Sequence, residues 1–390
     1  MRSKFLLLFL IPCAVHAQNY QKIHRKAIVA DSHNDILTAS IEKKVSMDND
    51  LKGITHSDLA RFKEGGVDVQ LFSVWCDGTK KEPYAWANRE MDSLYAVAQR
   101  NPDKIVLTKN TKELKRAVKD QKLAAMFGVE GGHMIEDDIN KLDSLYARGV
   151  RYMTLTWNNS TAWATSAMDE TTKKDSLAKT HKGLTDTGKE IVRRMNSLGM
   201  MVDLSHTGEQ TFWDAINTST KPVLLSHSNA YTLCPIFRNL KDEQIAAVGK
   251  NGGVIQLNFY SGFVDSNYKA KEAKFMRAHR GEIDSLKKTG MQAEYAVSAV
   301  SKKYNEEVSS FRPPLSMLLD HLDYIVKLAG VDHVGMGSDF DGINSAPQQL
   351  DDVTTYPLIT KALLERGYSK KEVTKIMGGN LLRVIKANEK

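Results

Sequence analysis

The chain has few cysteines: three in 390 residues, at positions 13, 76 and 234, and no two of them spaced as CxxC. That excludes a thiolate zinc site and a scaffold stapled by many disulfides. Beyond the N-terminus no apolar run approaches the length of about 20 residues that a bilayer-spanning helix needs. No internal repeat or low-complexity tract is present, which leaves a single domain as the simplest account. A concentrated basic stripe is also missing: 54 basic residues are interleaved with 47 acidic ones, for a formal charge of +7. Lys-rich stretches at 112–122 and 269–288 therefore read as solvated helix faces, not as a nucleic-acid surface.

What remains is an ordinary globular composition, 42% hydrophobic and 26% charged, with length enough for a large core. The first residues form a processing signal. Arg2 and Lys4 precede an apolar run at 5–15, and Val15-His16-Ala17 offers a small-residue cleavage site. The expectation is a signal peptide over 1–17, export to the periplasm or beyond the cell, and a single mature domain over 18–390. Cleavage removes Cys13 and leaves Cys76 and Cys234, one possible disulfide, with their pairing left open.

Eight short apolar runs organise the rest: 28–31, 67–75, 124–129, 150–156, 200–204, 222–226, 253–259 and 333–338. Apolar runs bounded by turn residues suit parallel strands buried on both faces. Helical stripes lie between them. Ile139, Leu142, Leu145 and Tyr146 form one, stopped by Gly149; Ile191, Met195 and Leu198 form another, stopped by Gly199. Repeated helix–Gly–strand units predict an α/β fold, a (β/α)8 TIM-type barrel. Residues 268–308, rich in Lys, Glu and Ala, predict an extra helical insertion before the last strand, near the pocket mouth. Ser369 and Glu372 have capping-box spacing, and Gly378-Gly379 separates that helix from a last one at 380–387.

In such a barrel all strand C-termini open on one face. Five of these ends carry His, Asp or Glu: DSHND at 31–35, VEGGH at 129–133, DLSH at 203–206, LSHSN at 225–229 and SDFDG at 338–342. His33 and Asp35, two apart on an extended chain, point the same way. Glu130, flanked by glycines, can bridge two ions through its two oxygens. His206 and His227 occupy equivalent places in successive units. Five nitrogen and oxygen donors suffice for a two-metal site; zinc suits them best, and manganese or iron also fits the ligand chemistry. Asp339 is placed to handle a proton or bind a substrate ammonium group, and Asp341 reads equally well as a turn acid. Arg238 can grip a carboxylate with its planar fork. His24, His56, His133, His181, His279 and His321 have no such placement.

The chain resembles the membrane (renal) dipeptidase family of zinc peptidases. Besides DSHND, the resemblance rests on GVEGG at 128–132, GVRYMTLTWNN at 149–159, VDLSH at 202–206, SHSNAY at 226–231, GGVIQLNFY at 252–260, HVGMGSDFDG at 333–342 and GGNLLRV at 378–384. It implies two zinc ions per chain, with His33 and Asp35 on one, His206 and His227 on the other, and Glu130 between them. It further implies a dipeptidase whose nucleophile is a hydroxide bridging the ions, exported on the evidence of the N-terminal signal. Arg238 would hold the substrate carboxylate, with Asp339 beside the water. Family members are often dimers.

Two departures stand out. Where better-known members carry a His after TLT, this chain has Trp157, whose indole has one donor and no acceptor. Trp157, Asn158 or Asn159 would then contact substrate in its place. The family's disulfide pattern is not reproduced either; Cys234 sits where the family often has a cysteine. Trp157 motivates an alternative, a metal-dependent hydrolase of another small or cyclic amide, and a non-catalytic metal- or peptide-binding protein is a third reading.

Overall fold

The computed structural model describes residues 14–173, 181–289 and 293–390. Residues 1–13 of the expected leader lie outside them, and helix Ala14–Lys26 runs through the expected cleavage point after Ala17. Nine strands follow among the described residues: β1 Ala30–Asn34, β2 Val69–Val74, β3 Ile105–Leu107, β4 Leu123–Glu130, β5 Val150–Thr154, β6 Met201–Asp203, β7 Leu224–Leu225, β8 Val254–Leu257 and β9 Val334–Met336. Every pairing is parallel. Strands β1, β2, β4, β5, β6, β7, β8 and β9 pair in that order, and β9 returns to β1. The sheet is thus a closed eight-stranded barrel with surrounding helices, as expected from the eight runs.

The ninth strand is a correction. β3 was not expected, because three residues carry no period. It pairs beside the N-terminal part of β4, Ile105 opposite Leu123 and Leu107 opposite Ala125, and β5 takes over that edge from Phe127 onward.

The helix–Gly–strand units are present. Helix Ile139–Ala147, capped by Asp138, buries Leu142 and Leu145 ahead of β5. Helix Asp186–Leu198 buries Ile191, Met195 and Leu198 and ends on Gly199 at φ +88°, the left-handed stop that glycine adopts without strain. The capping box of Ser369 and Glu372 starts helix Lys370–Thr374, and after the turn at Lys375–Gly379 the chain ends in helix Asn380–Asn388. Leu381, Leu382, Val384 and Ile385 of that helix join Val69, Ala124, Met126, Met201, Leu224 and Val254 in one buried cluster, closing the end of the barrel away from the strand C-termini.

The expected insertion is helical: Tyr268–Ala278, Arg280–Lys288, Ala293–Lys303 and Asn305–Phe311. It has a small core of its own, Phe275, Ile283, Ala296 and Val300. Its Glu272 meets Tyr260 and Asn344 from the loops after β8 and β9, so it sits beside the mouth of the barrel. Among the described residues no helix is long and apolar enough to cross a membrane.

Candidate metal centre

The strand ends bring His33, Asp35, Glu130, His206, His227 and Asp339 together, all but Asp339 buried. Glu130 is central. Its Oε1 lies 2.9 Å from His206 Nε2 and 3.4 Å from His227 Nε2, and its Oε2 lies 3.4 Å from His33 Nε2. His33 Nε2 is also 3.4 Å from Asp35 Oδ2 and 3.9 Å from Asp339 Oδ1. His33, Glu130 and His227 offer ligand atoms all within 4.8 Å of one another, and so do His33, Asp35 and Asp339. Gly342 makes the second group possible: a Cβ there would sit 2.3 Å from Asp35 Oδ2 and 2.7 Å from Asp339 Oδ1.

Partners behind each imidazole decide its tautomer. Tyr152 Oη donates to the Ser32 carbonyl at 3.1 Å, so at 2.9 Å it accepts from His33 Nδ1–H. Ser226 Oγ donates to Asp203 Oδ2 at 2.6 Å and therefore accepts from His227 Nδ1–H at 2.8 Å. His206 Nδ1–H donates to Asn158 Oδ1 at 3.1 Å. All three rings thus turn an Nε2 lone pair inward. The Nε2 atoms of His206 and His227 are 3.0 Å apart with a carboxylate oxygen between them and no proton to share. Buried His33 Nε2 and Asp35 Oδ1 have no hydrogen-bond partner among the described residues either. Lone pairs and carboxylates facing one another in a buried site fit divalent cations, and the absence of thiolates fits borderline or hard ones.

Charge leads the same way. Burial first, then the positive charge of Arg238, pushes His206 down to about 4, and burial pushes His227 down as well, so both are neutral donors. Burial and the neighbouring Asp35 hold Asp339 well above the usual carboxylate range.

Two buried carboxylates brace the frame. Asp31 accepts from His33 N at 2.9 Å, Ser338 N at 3.1 Å, Ser338 Oγ at 2.5 Å and Tyr356 Oη. Asp203 accepts from Ser205 N, Ser226 N, Thr154 Oγ1 and Ser226 Oγ. These ties hold His206 at φ +64°, Asp339 at +61° and Asp341 at +70°, a left-handed backbone that costs a non-glycine residue about 1–3 kcal/mol and clusters at functional sites.

Arg238 is buried beside the cluster. One guanidinium NH2 donates to the His227 carbonyl at 3.3 Å, while Nε has no acceptor among the described residues. Burial pushes it down to about 10, which keeps it charged at neutral pH. Trp157 stands half-buried, its ring 6.4 Å from that of His206. The Asn158 side-chain Oδ1 is engaged with His206, and the Asn159 side chain packs against Gly78. Asp341 is spent on Ser57 Oγ at 2.5 Å and His56 N at 2.7 Å, a scaffold position. His56 thereby lies behind the site, while buried His24 and His321 bind backbone or hydroxyl groups elsewhere. His279 pairs with Glu307 in the insertion. Cys76 and Cys234 are both free and buried. Sequence reasoning missed the roles of Tyr152, Asn258, Asp31 and Asp203; the Asp ahead of Ser-His in 31–33 and 203–206 is a visible signal for the last two.

The model of the membrane dipeptidase family, peptidase family M19, matches residues 17–390. The chain belongs to this family. An uncharacterized dipeptidase of Schizosaccharomyces pombe is 32% identical over 394 residues, covering 95% of this chain and 83% of that protein. Two solved structures share the barrel fold. The probable dipeptidase PvdM from Pseudomonas aeruginosa, 23% identical, covers 97% of this chain and 99% of its own with a TM-score of 0.78. A metallo peptidase from Rhodobacter sphaeroides, liganded with a phosphinate mimic of the dipeptide L-Ala-D-Ala, is also 23% identical and covers 93% and 100% with a TM-score of 0.73. As an M19 member the chain is a hydrolase of the metallo-dipeptidase class.

Proposed function

We propose that the chain is an exported dipeptidase working with two zinc ions. The observation that carries this reading is the inward convergence of three Nε2 lone pairs on the Glu130 carboxylate. His33 and Asp35 would hold one ion, His206 and His227 the other, and Glu130 both. Bound there, the ions would polarise the scissile carbonyl and make a water molecule acidic enough to attack near neutral pH.

The chain's own groups do the rest. Asp339, held by Asn258, receives the proton of the attacking water and returns it to the leaving amine. Arg238, charged, buried and paired with no carboxylate among the described residues, takes the substrate's C-terminal carboxylate. With Asp339 three residues past β9 and Arg238 after β7, an extended substrate is gripped at both ends, which favours two residues over longer peptides. Asn158 orients His206, and the Trp157 indole borders the bound substrate.

The test is metal content together with turnover of a panel of L,L and L,D dipeptides by the full chain. Two bound ions without cleavage of any dipeptide would sink the proposal. Trp157 supports one second reading, hydrolysis of a blocked or cyclic amide, and faster turnover of such amides than of free dipeptides would favour it. Export rests on the sequence of residues 1–17, and N-terminal sequencing of protein from cell fractions tests it.

A further inference from the structure

Two indoles flank the strand that carries Glu130. Trp75 follows the last residue of β2, Trp157 lies three residues past β5, and β4 stands between those strands in the barrel. Their rings meet edge to face, centroids 5.0 Å apart at 62°, and the Trp157 ring lies 6.4 Å from that of His206 in the site. Both residues are half-buried.

The pair is held in place. Trp75 N donates to buried Glu90 at 2.7 Å, and its carbonyl accepts from Trp86 Nε1 at 2.9 Å and Thr38 Oγ1 at 3.2 Å. Trp157 is packed on Gly131, where an added Cβ would lie 3.1 Å from the Trp157 Cβ. The buried Trp75 Nε1–H has no acceptor among the described residues. A tryptophan kept only for packing normally finds a partner for that donor.

An indole neither accepts a hydrogen bond nor takes a proton, so Trp157 does no acid–base work. What two fixed indoles offer is a broad, rigid apolar surface beside the reacting bond. We infer that Trp75 and Trp157 form a side-chain subsite that selects dipeptides carrying an aromatic or bulky apolar residue. The inference rests on the dipeptidase reading and deepens it by naming the substrate class.

The experiment compares kcat/KM of the metal-loaded full chain on L-Ala-L-Ala, L-Phe-L-Ala and L-Ala-L-Phe. One of the two phenylalanyl substrates should exceed L-Ala-L-Ala by about tenfold or more, chiefly through KM. Trp75→Ala and Trp157→Ala should each shrink that ratio by about fivefold, whereas Trp157→Phe, which keeps an aromatic face, should retain most of it. Should an alanine variant fail to fold, Trp157→His carries the same expectation, because it replaces the apolar face with a polar ring. A wild-type ratio near one, or a ratio unmoved in the variants that fold, overturns the subsite while leaving the dipeptidase reading intact. Loss of turnover on all three substrates in the wild type overturns both.

Discussion

Asn258 Nδ2 donates to Asp339 Oδ2 across 2.8 Å, and this bond aims the carboxylate at the site and stabilises its charged form. Asn258 is itself fixed: its N–H donates to Asn229 Oδ1 at 3.1 Å, and its Oδ1 accepts from Tyr260 N at 2.6 Å. Asn258→Ala should lower kcat by about tenfold or more, part of the roughly 100- to 10,000-fold that a positioned acid–base group supplies. The pH profile separates positioning from general damage. Loss of the bond raises the Asp339 pKa, so the acid limb of kcat should move to higher pH. An unshifted limb would show that Asn258 does not tune Asp339.

The His33–Tyr152 pair makes a prediction that needs no substrate. The Tyr152 phenol fixes His33 with its Nε2 lone pair inward, and it fits because a Cβ on Gly128 of β4 would sit 1.9 Å from its ring. Tyr152→Phe removes the hydroxyl and little else. Metal affinity should fall by about 10- to 100-fold, the usual cost of losing a partner behind a ligating histidine. Competition against a chromogenic chelator measures it, and wild-type affinity in the variant would refute the tautomer argument.

Tyr152 also shows where sequence reading stopped. The barrel was legible because strands buried on both faces read as continuous apolar runs, and each strand end is one local position. His33, Asp35, Glu130, His206 and His227 could therefore be found from short patterns. Tyr152 lies inside β5, and its hydroxyl meets His33 across 119 residues of sequence, a pairing only barrel closure creates. Asn258 reaches Asp339 from 81 residues away for the same reason. β3 escaped because three residues hold their strand geometry only against β4. The even choice left at Asp341 was settled by Ser57 and His56, which lie 284 and 285 residues before it.

Arg238 should matter for the free carboxylate and little for its amide. The buried guanidinium has an unpartnered Nε and no ion pair among the described residues, so a bound carboxylate gains a charge-assisted fork. Arg238→Lys keeps a charge but loses the fork. It should lower kcat/KM on free dipeptides roughly 30-fold, about 2 kcal/mol, mainly through KM. On C-terminally amidated dipeptides, already poor substrates, the change should be several-fold smaller. An equal loss on both would detach Arg238 from the carboxylate.

At the opposite end of the barrel, Asp68 gives a prediction about stability alone. Its Oδ2 accepts from Val29 N at 2.9 Å just ahead of β1, and no cation among the described residues pairs with it. Burial pushes it from the ordinary 3.8 up to about 6, the Val29 bond only partly opposing. The folded state therefore binds more protons than the unfolded state between these two values. Stability falls as pH rises through that window and stays lowered above it. Asp68→Asn keeps an oxygen for the Val29 N–H and removes the charge. It should match the wild type near pH 4 and exceed it at pH 7 by on the order of 1–2 kcal/mol, discounted because water reaches part of the carboxylate. Denaturant midpoints of both proteins from pH 4 to 8 measure the difference. Because the bottom of such a barrel serves stability, dipeptide turnover should not follow it. A variant less stable than the wild type at pH 7 would mean that the Asp68 charge helps the fold, contrary to what its burial implies.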